Sequence, residues 1–404
     1  MLSNKKIICT SCPAYGHFIP VLTIAKHLSI ENDVTFLIHN SQKPGVLKPN
    51  KIKQILQNYD IKWKVFDWEI HDPVANISMM KLIIREVSPD ISICDWMKPF
   101  DLAVRLCNIK CRVSIIRAEQ IVGYEIINKQ LPKKFQTDTQ IDIEKNNALL
   151  DKLKLSKIQD SREILIGDIN IIPSIPELDV IPQPLPMVYR NTVVEHVGPL
   201  FLDLNFSTIH IKDWINQQKN SKRKIILVTL GTVYGDTFIY YWLLNSICNL
   251  ENVSILLVIP NKYYHQWILK EFTSQENVII TDFVNLQEVL EYIDLCIHHC
   301  GHGLALTCLL SGTPSITIPT NEYDREDNAV RLEQMGVNLR YFLGPKRLGL
   351  KELVIQALHN QSMKAESKKL QKRVRDFMAT KNTQFIDKLL FEFFNRKRAL
   401  NSKI

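Results

Sequence analysis

Residues 294–329 read DLCIHHCGHGLALTCLLSGTPSITIPTNEYDREDNA, from Asp294 to Ala329. Positions 295–297 form a short apolar run, His299-Cys300-Gly301-His302-Gly303 is a glycine-punctuated turn, and 304–310 is an apolar stretch of helical length. Gly312-Thr313-Pro314 closes that helix, because glycine suits the residue just past a helix end and proline cannot continue one. Strand character resumes at 315–318, so the segment is a β-turn-α-β unit. A glycine-rich turn at a helix mouth leaves backbone N–H groups without intrahelical partners, along the positive end of the helix dipole. Such a mouth binds anions, phosphate above all. His299 and His302 add side-chain donors, and Gly301 and Gly303 carry no Cβ to hold a ligand off. The turn fits neither GxxxxGK[ST] nor GxGxxG, so neither a simple nucleoside triphosphate nor NAD is the expected guest. Two other readings of the turn stay open from its residues alone: a tight connection with buried histidines, and a metal site. For the second, His298, His299, Cys300 and His302 are too crowded to reach one tetrahedral ion together, and no second ligand pair follows at zinc-finger spacing. No metal is expected.

Outward from this unit, the second half of the chain repeats the βα rhythm. Strands are expected at 224–230, 253–259, 278–280 and 337–341, and Thr229-Leu230-Gly231-Thr232 makes another strand-end turn. The first half has the same rhythm. A strand at 6–11 runs into Cys12-Pro13-Ala14-Tyr15-Gly16-His17 and a helix over 20–28, with Pro20 placed in the tolerant first turn. His17 then lies beyond the carboxyl end of the first strand, where open α/β sheets bind ligands. Strands at 34–38, 63–66, 91–94 and 113–116 alternate with helices at 51–57, 77–85 and 99–106; the fourth strand delivers Asp95, followed by Trp96. Residues 119–160 are polar, with a helix over 141–153, and 164–172 reads as strand. A proline-rich stretch at 181–186 leads towards a domain boundary. The expected domains are 1–203 for acceptor binding, a linker at 204–221, a nucleotide-sugar domain at 222–380, and a helix at 381–404.

His299-Cys300-Gly301-x-Gly303, then Gly312-x-Pro314, Pro319, Asp324 and Asn328-Ala329, resembles the nucleotide-sugar signature of family 1 glycosyltransferases, the UDP-glycosyltransferase-like enzymes. The resemblance covers about thirty-five positions and implies an α/β protein of two Rossmann-like domains facing across a cleft, the GT-B fold, with the C-terminal helix returning to the N-terminal domain. It implies an inverting transferase of the bacterial natural-product type, moving a sugar from a UDP- or TDP-linked donor to a hydroxyl of a lipophilic small molecule. In this reading His17, within Gly16-His17-x-x-Pro20, is the base and Asp95 its partner. His299, Gly301 and Gly303 hold the diphosphate, with Gly231 and Thr232 beside them. Phe283 and Val284 lie where the nucleobase stacks. Asp324, Arg325 and Asn328 lie where the sugar is gripped. Trp63, Trp68, Trp96 and Tyr124, with Phe66, suggest an apolar acceptor pocket.

Each residue also has a plainer reading. His17 alone could be a surface-loop histidine, Asp95 a helix cap, and Phe283 and the tryptophans ordinary core. Three departures bear on the donor: Asn285-Leu286 stands where the family often has Pro-Gln, Arg325 where it usually has Gln, and Thr307 where many members have a ribose-clamping Glu. The nucleobase is therefore open. No cofactor is expected beyond the nucleotide-sugar co-substrate. The rival readings are a sugar-nucleotide epimerase on the same fold and a non-catalytic nucleotide-sugar-binding helper.

Composition agrees with a soluble globular chain: 404 residues, 46% apolar and 23% charged. That length exceeds what one core serves and favours two domains. The nine cysteines are odd in number and mostly lie in apolar runs, which suits reduced thiols better than a disulfide framework. The N-terminus shows no apolar stretch of signal-peptide length, so the cytoplasm is the expected compartment. A net charge of +8 leaves loose membrane contact open. No aromatic-and-basic RNA motif or DNA-reading helix accompanies it, so nucleic acid is not an expected partner.

Overall fold

The computed structural model describes residues 2–40, 47–67, 72–117, 120–121, 139–202, 209–231, 237–260, 262–272, 275–319, 323–341 and 349–401. The chain divides into two units, Met1–Leu202 with Phe377–Ile404, and Asp203–Asp376.

The first unit is built on β1 (Lys6–Ser11), β2 (Asp33–His39), β3 (Lys62–Phe66), β4 (Ile91–Asp95), β5 (Cys111–Ile115), β6 (Ile169–Ile172) and β7 (Val193–His196). They form one sheet in the order β3-β2-β1-β4-β5-β6-β7, and every pairing is parallel. Between them run α1 (Tyr15–Leu28), α2 (Pro49–Gln57), α3 (Pro73–Val87), α4 (Lys98–Leu106) and α5 (Thr139–Lys152). The central strands are apolar on both faces because helices cover both: β4 is buried throughout, and β1 from its second residue on. On one face Ile8, Leu37 and Phe66 pack with Ile77, Met80 and Ile84 of α3 and Phe100 and Ala103 of α4.

In the second unit α6 (Ile209–Asn220) leads into β8 (Lys224–Thr229), followed by α7 (Thr237–Ile247), β9 (Val253–Val258), α8 (Lys262–Phe272), β10 (Val278–Thr281), the single turn α9 (Leu286–Val289) and β11 (Leu295–His298). Then come α10 (His302–Ser311), β12 (Ser315–Thr317), α11 (Tyr323–Gln334), β13 (Asn338–Arg340), α12 (Leu350–His359) and α13 (Gln361–Thr380), after which α14 (Thr383–Asn401) belongs to the first unit again. The sheet order is β10-β9-β8-β11-β12-β13, again all parallel. In both units the order reverses beside the first strand, between β1 and β4 and between β8 and β11. Ligands of doubly wound sheets bind outside the carboxyl ends at such switch points.

Three expectations change. The polar stretch expected as linker carries α6, because its spaced isoleucines, Ile211 and Ile215, are fully buried against Ile225, Leu227 and Val289. Of the strand expected over 164–172 only Ile169–Ile172 pairs; Ser161–Ile164 is a 3-10 turn capped by Asp160. Helix α1 starts at Tyr15, so Pro20 lies inside it as its sixth residue and His17 is helical. The last helix packs on the first unit, where Ile386 and Leu390 are buried and Asp387 Oδ1 accepts the Leu2 N–H at 2.9 Å. All nine cysteines are free thiols. Among the described residues no helix is long and apolar enough to cross a membrane.

Candidate active site

Asp95 is the last residue of β4 and 1% exposed. Its carbonyl accepts the Cys12 N–H at 3.1 Å, which ties the turn after β1 to the end of β4. One turn into α1, His17 Nδ1 lies 2.8 Å from Asp95 Oδ1, with the His17 side chain still 32% exposed. The other carboxylate oxygen accepts from Arg117 Nη2 at 3.1 Å. Burial alone would push the Asp95 carboxyl up. The Arg117 and His17 charges and hydrogen bonds outweigh it and hold the group below the usual carboxylate range. Asp95 therefore stays ionised, fixes the His17 ring, and leaves Nε2 as the nitrogen not spent on it.

Arg117 is the site residue that the sequence did not announce. It stands two residues past β5, 8% exposed in its side chain. Trp96, directly after Asp95, adopts a left-handed backbone (φ 55°) and is 45% exposed. It is the one tryptophan of the expected acceptor group that the described structure sets beside His17 and Asp95. Trp63 is half-buried on edge strand β3, two strands from β1 and level with Cys9, so it is not brought to them. Phe66 is core, packed with Ile77 and Met80. Trp68 and Tyr124 lie outside the described residues.

In the second unit the corresponding switch point holds the glycine turn. His298 ends β11, Cys300 takes a left-handed backbone (φ 65°), and Gly301 is the N-cap of α10, which no side chain caps. The His299 ring lies between two glycines. A Cβ on Gly231 would come within 2.4 Å of its Cε1, and one on Gly301 within 2.6 Å of its Nε2. The missing Cβ of Gly301 thus makes room for the histidine rather than for a ligand. Only Gly303 faces open space, with nothing within 4 Å. Burial, then the nearby Arg325 charge, pushes the His299 imidazole well below its ordinary value, so it is neutral at pH 7. Among the described residues its buried Nδ1 has no hydrogen-bond partner.

Asn328, fully buried on α11, donates from Nδ2 to the Cys300 carbonyl at 3.3 Å and holds the turn in shape. Asp324 and Arg325 stand half-buried in the first turn of the same helix. Phe283 is half-buried; its N–H and carbonyl both meet the Thr281 hydroxyl. Val284 is core, packed in the cluster of Leu256, Val289 and Leu304. The Thr307 hydroxyl donates to Gly303 O at 2.7 Å, so its proton is spent on its own helix. Thr232 lies outside the described residues.

The histidines and cysteine of the turn do not form a ligand set. The group whose ligand atoms approach within 4.8 Å is instead Cys296, His298 and Cys308, all buried. His298 Nδ1 accepts the Cys300 N–H at 3.1 Å, which leaves the proton of a neutral imidazole on Nε2, directed at Cys308 Sγ 4.0 Å away. The three side chains form a buried cluster beneath the turn.

Residues 225–384 match the glycosyltransferase family 28 C-terminal domain. Over 404 aligned positions the chain is 21% identical to the NDP-glycosyltransferase YjiC of Bacillus subtilis (strain 168), across 93% of this chain and 94% of that one. The fold is that of the calicheamicin glycosyltransferase (TM-score 0.72, 13% identity, 98% of this chain and 99% of the other). It is equally that of a UDP-glucosyltransferase from Polygonum tinctorium (TM-score 0.69, 15% identity, 96% and 98%). Two parallel sheets with matching switch points give the chain the GT-B fold of these solved structures, with the glycine turn at the second switch point inside the stretch that matches the family 28 C-terminal domain.

Proposed function

We propose that the chain is an inverting glycosyltransferase that moves a sugar from a UDP- or TDP-linked donor to a hydroxyl of a lipophilic small molecule. The observation that carries this reading is the 2.8 Å contact between His17 Nδ1 and the buried Asp95 carboxylate. With Nδ1 occupied, Nε2 takes the acceptor's proton as its oxygen bonds the anomeric carbon, and Asp95 stabilises the imidazolium that results. The carbon–oxygen bond to the diphosphate breaks in the same displacement, so the anomeric configuration inverts. The departing diphosphate is received at the mouth of α10, where the helix dipole and the Arg325 charge supply the positive field. A divalent cation is then not required. Phe283 serves the nucleobase and Asp324 the sugar hydroxyls. The solved plant neighbour is described as capable of glucosylating indoxyl and is in complex with 3,4-dichloroaniline; small aromatic acceptors of that size are the ones to try first.

The test pairs purified chain with UDP- and TDP-glucose and a panel of phenolic acceptors, in EDTA. Transfer should proceed, and His17→Ala should lower its rate by about 10²–10⁴-fold, the usual worth of a positioned base. The same variant should keep its thermal shift with UDP or TDP, since a ligand that prefers the folded state raises the melting temperature. Undiminished transfer in His17→Ala would remove His17 from the reaction. Turnover of donor alone would point to an epimerase.

A further inference from the structure

A proline inside a helix has no N–H to give the carbonyl four residues back. For Pro20 in α1 that carbonyl belongs to Gly16, and Arg117 Nη2 donates to it at 3.3 Å. The same nitrogen lies 3.1 Å from Asp95 Oδ2. Arg117 is itself anchored, its backbone N–H donating to Gln120 Oε1 at 2.8 Å. A closed circuit results: the Gly16 carbonyl, the adjoining His17, His17 Nδ1 to Asp95 Oδ1, and Asp95 Oδ2 back through Arg117 to Gly16.

We propose that Arg117 is the positioning residue of the base, fixing the first turn of α1 by replacing the hydrogen bond Pro20 cannot make and offsetting the Asp95 charge that would otherwise hold a proton on His17. This rests on the reading of His17 as the base. With Asp95 already paired, the imidazolium formed during transfer faces a half-neutralised carboxylate and gives its proton up more readily. Among the described residues, the other titratable groups around the pair do not supply such a counter-charge. Burial pushes the Asp101 carboxyl on α4 up to about 8 and raises Cys94 on β4, Cys9 on β1 and Tyr15 on α1, so at neutral pH these are predominantly uncharged. His39 ends β2. On α14, Asp387 is engaged with the Leu2 N–H, at the opposite edge of the sheet.

The experiment uses the full-length chain with ¹⁵N-labelled histidine, and reads the protonation midpoint and tautomer of His17 by NMR beside the pH profile of transfer. In Arg117→Gln the uncompensated carboxylate should move both the midpoint and the acid limb of transfer upward by about one pH unit. Arg117→Lys keeps the charge but not the planar fork. It should leave the midpoint near that of the unaltered chain, while kcat falls roughly tenfold from lost alignment. Nucleotide thermal shifts should be unchanged in both. An unmoved midpoint in folded Arg117→Gln, or a midpoint displaced as far by Lys as by Gln, overturns the proposal. If Arg117→Gln does not fold, the Lys variant decides alone: a displaced midpoint, or an undiminished kcat, overturns it. An inactive chain whose midpoint shifts removes the transferase reading and keeps the role of Arg117; an active chain whose midpoint stays removes only that role.

Discussion

Each unit sets a histidine at the carboxyl edge of its sheet, beside the strand where the order reverses, yet the two are treated in opposite ways. His17 is half-exposed and joined to a buried carboxylate, which is joined to a buried guanidinium, and each of these hydrogen bonds lies at 2.8–3.1 Å. His299 is packed between two glycines, held neutral, and left with a buried nitrogen that meets no partner. The first surrounding suits a group that must gain and lose a proton, because a change of charge needs compensating charge nearby. The second suits a group that shapes backbone: the histidine fills the space that two missing Cβ atoms vacate and so fixes the turn at the mouth of α10. One edge sets its histidine against paired side-chain charges. The other offers a field made by a helix end.

The contrast is broken most sharply at Gly231. Its backbone is left-handed (φ 76°) and any Cβ would lie 2.4 Å from the His299 ring. Gly231→Ala therefore pays about 1–2 kcal/mol for the backbone and displaces the ring as well. Its melting temperature should fall by several degrees and its affinity for UDP or TDP by about tenfold or more, while the His17 titration stays put. Unchanged nucleotide affinity would show that the His299 ring does not shape the binding turn. A smaller and more selective effect is expected from the pair Gly301→Ala and Gly303→Ala. The first collides with His299 and should lose stability; the second meets nothing within 4 Å and should not. If Gly303→Ala nevertheless weakens nucleotide binding, the open space above Gly303 is where the ligand passes. Equal loss of stability in both variants would contradict the packing just described.

The smallest effect concerns whether Asp101, near Asp95 in the first unit, is itself uncharged. Burial raises Asp101 to about 8, against an unfolded value of about 4. An acid raised in this way binds its proton more tightly when folded, so its contribution is fully present below about pH 4 and is lost as pH climbs towards 8. Asp101→Asn should flatten the decline in melting temperature between pH 5 and 8 by a degree or two, a modest change because the side chain keeps partial exposure. An unaltered slope would mean that Asp101 is ionised in the folded chain.

What could be read in advance followed from local rules. Strand periodicity and helix punctuation put His17 beyond β1 and Asp95 at the end of β4, and the glycines around His299 marked the mouth of α10. Arg117 was not legible, because its two partners lie 22 and 101 positions away and a lone arginine after a strand carries no local signature. Pro20 became a clue only once α1 was seen to start at Tyr15: a proline six residues into a helix leaves a carbonyl in need of a donor. Trp63 is not carried to His17 and Asp95, and Val284 packs in core, for a related reason. An aromatic or aliphatic side chain at a strand end serves a core as readily as a pocket, and only the register of β3 and the packing around α9 separated the two.

The sequence by itself determined two parallel α/β units, their histidines and the glycine turn at a helix mouth, since these arise from backbone preferences and spacing within a few residues. Tertiary structure alone decided which groups compensate which. It chose Arg117 for Asp95, gave the His299 ring to the glycines, and passed the Cys300 carbonyl to Asn328. Burial and charge pairing depend on where distant strands bring their side chains, and that is a property of the sheet order rather than of any one segment.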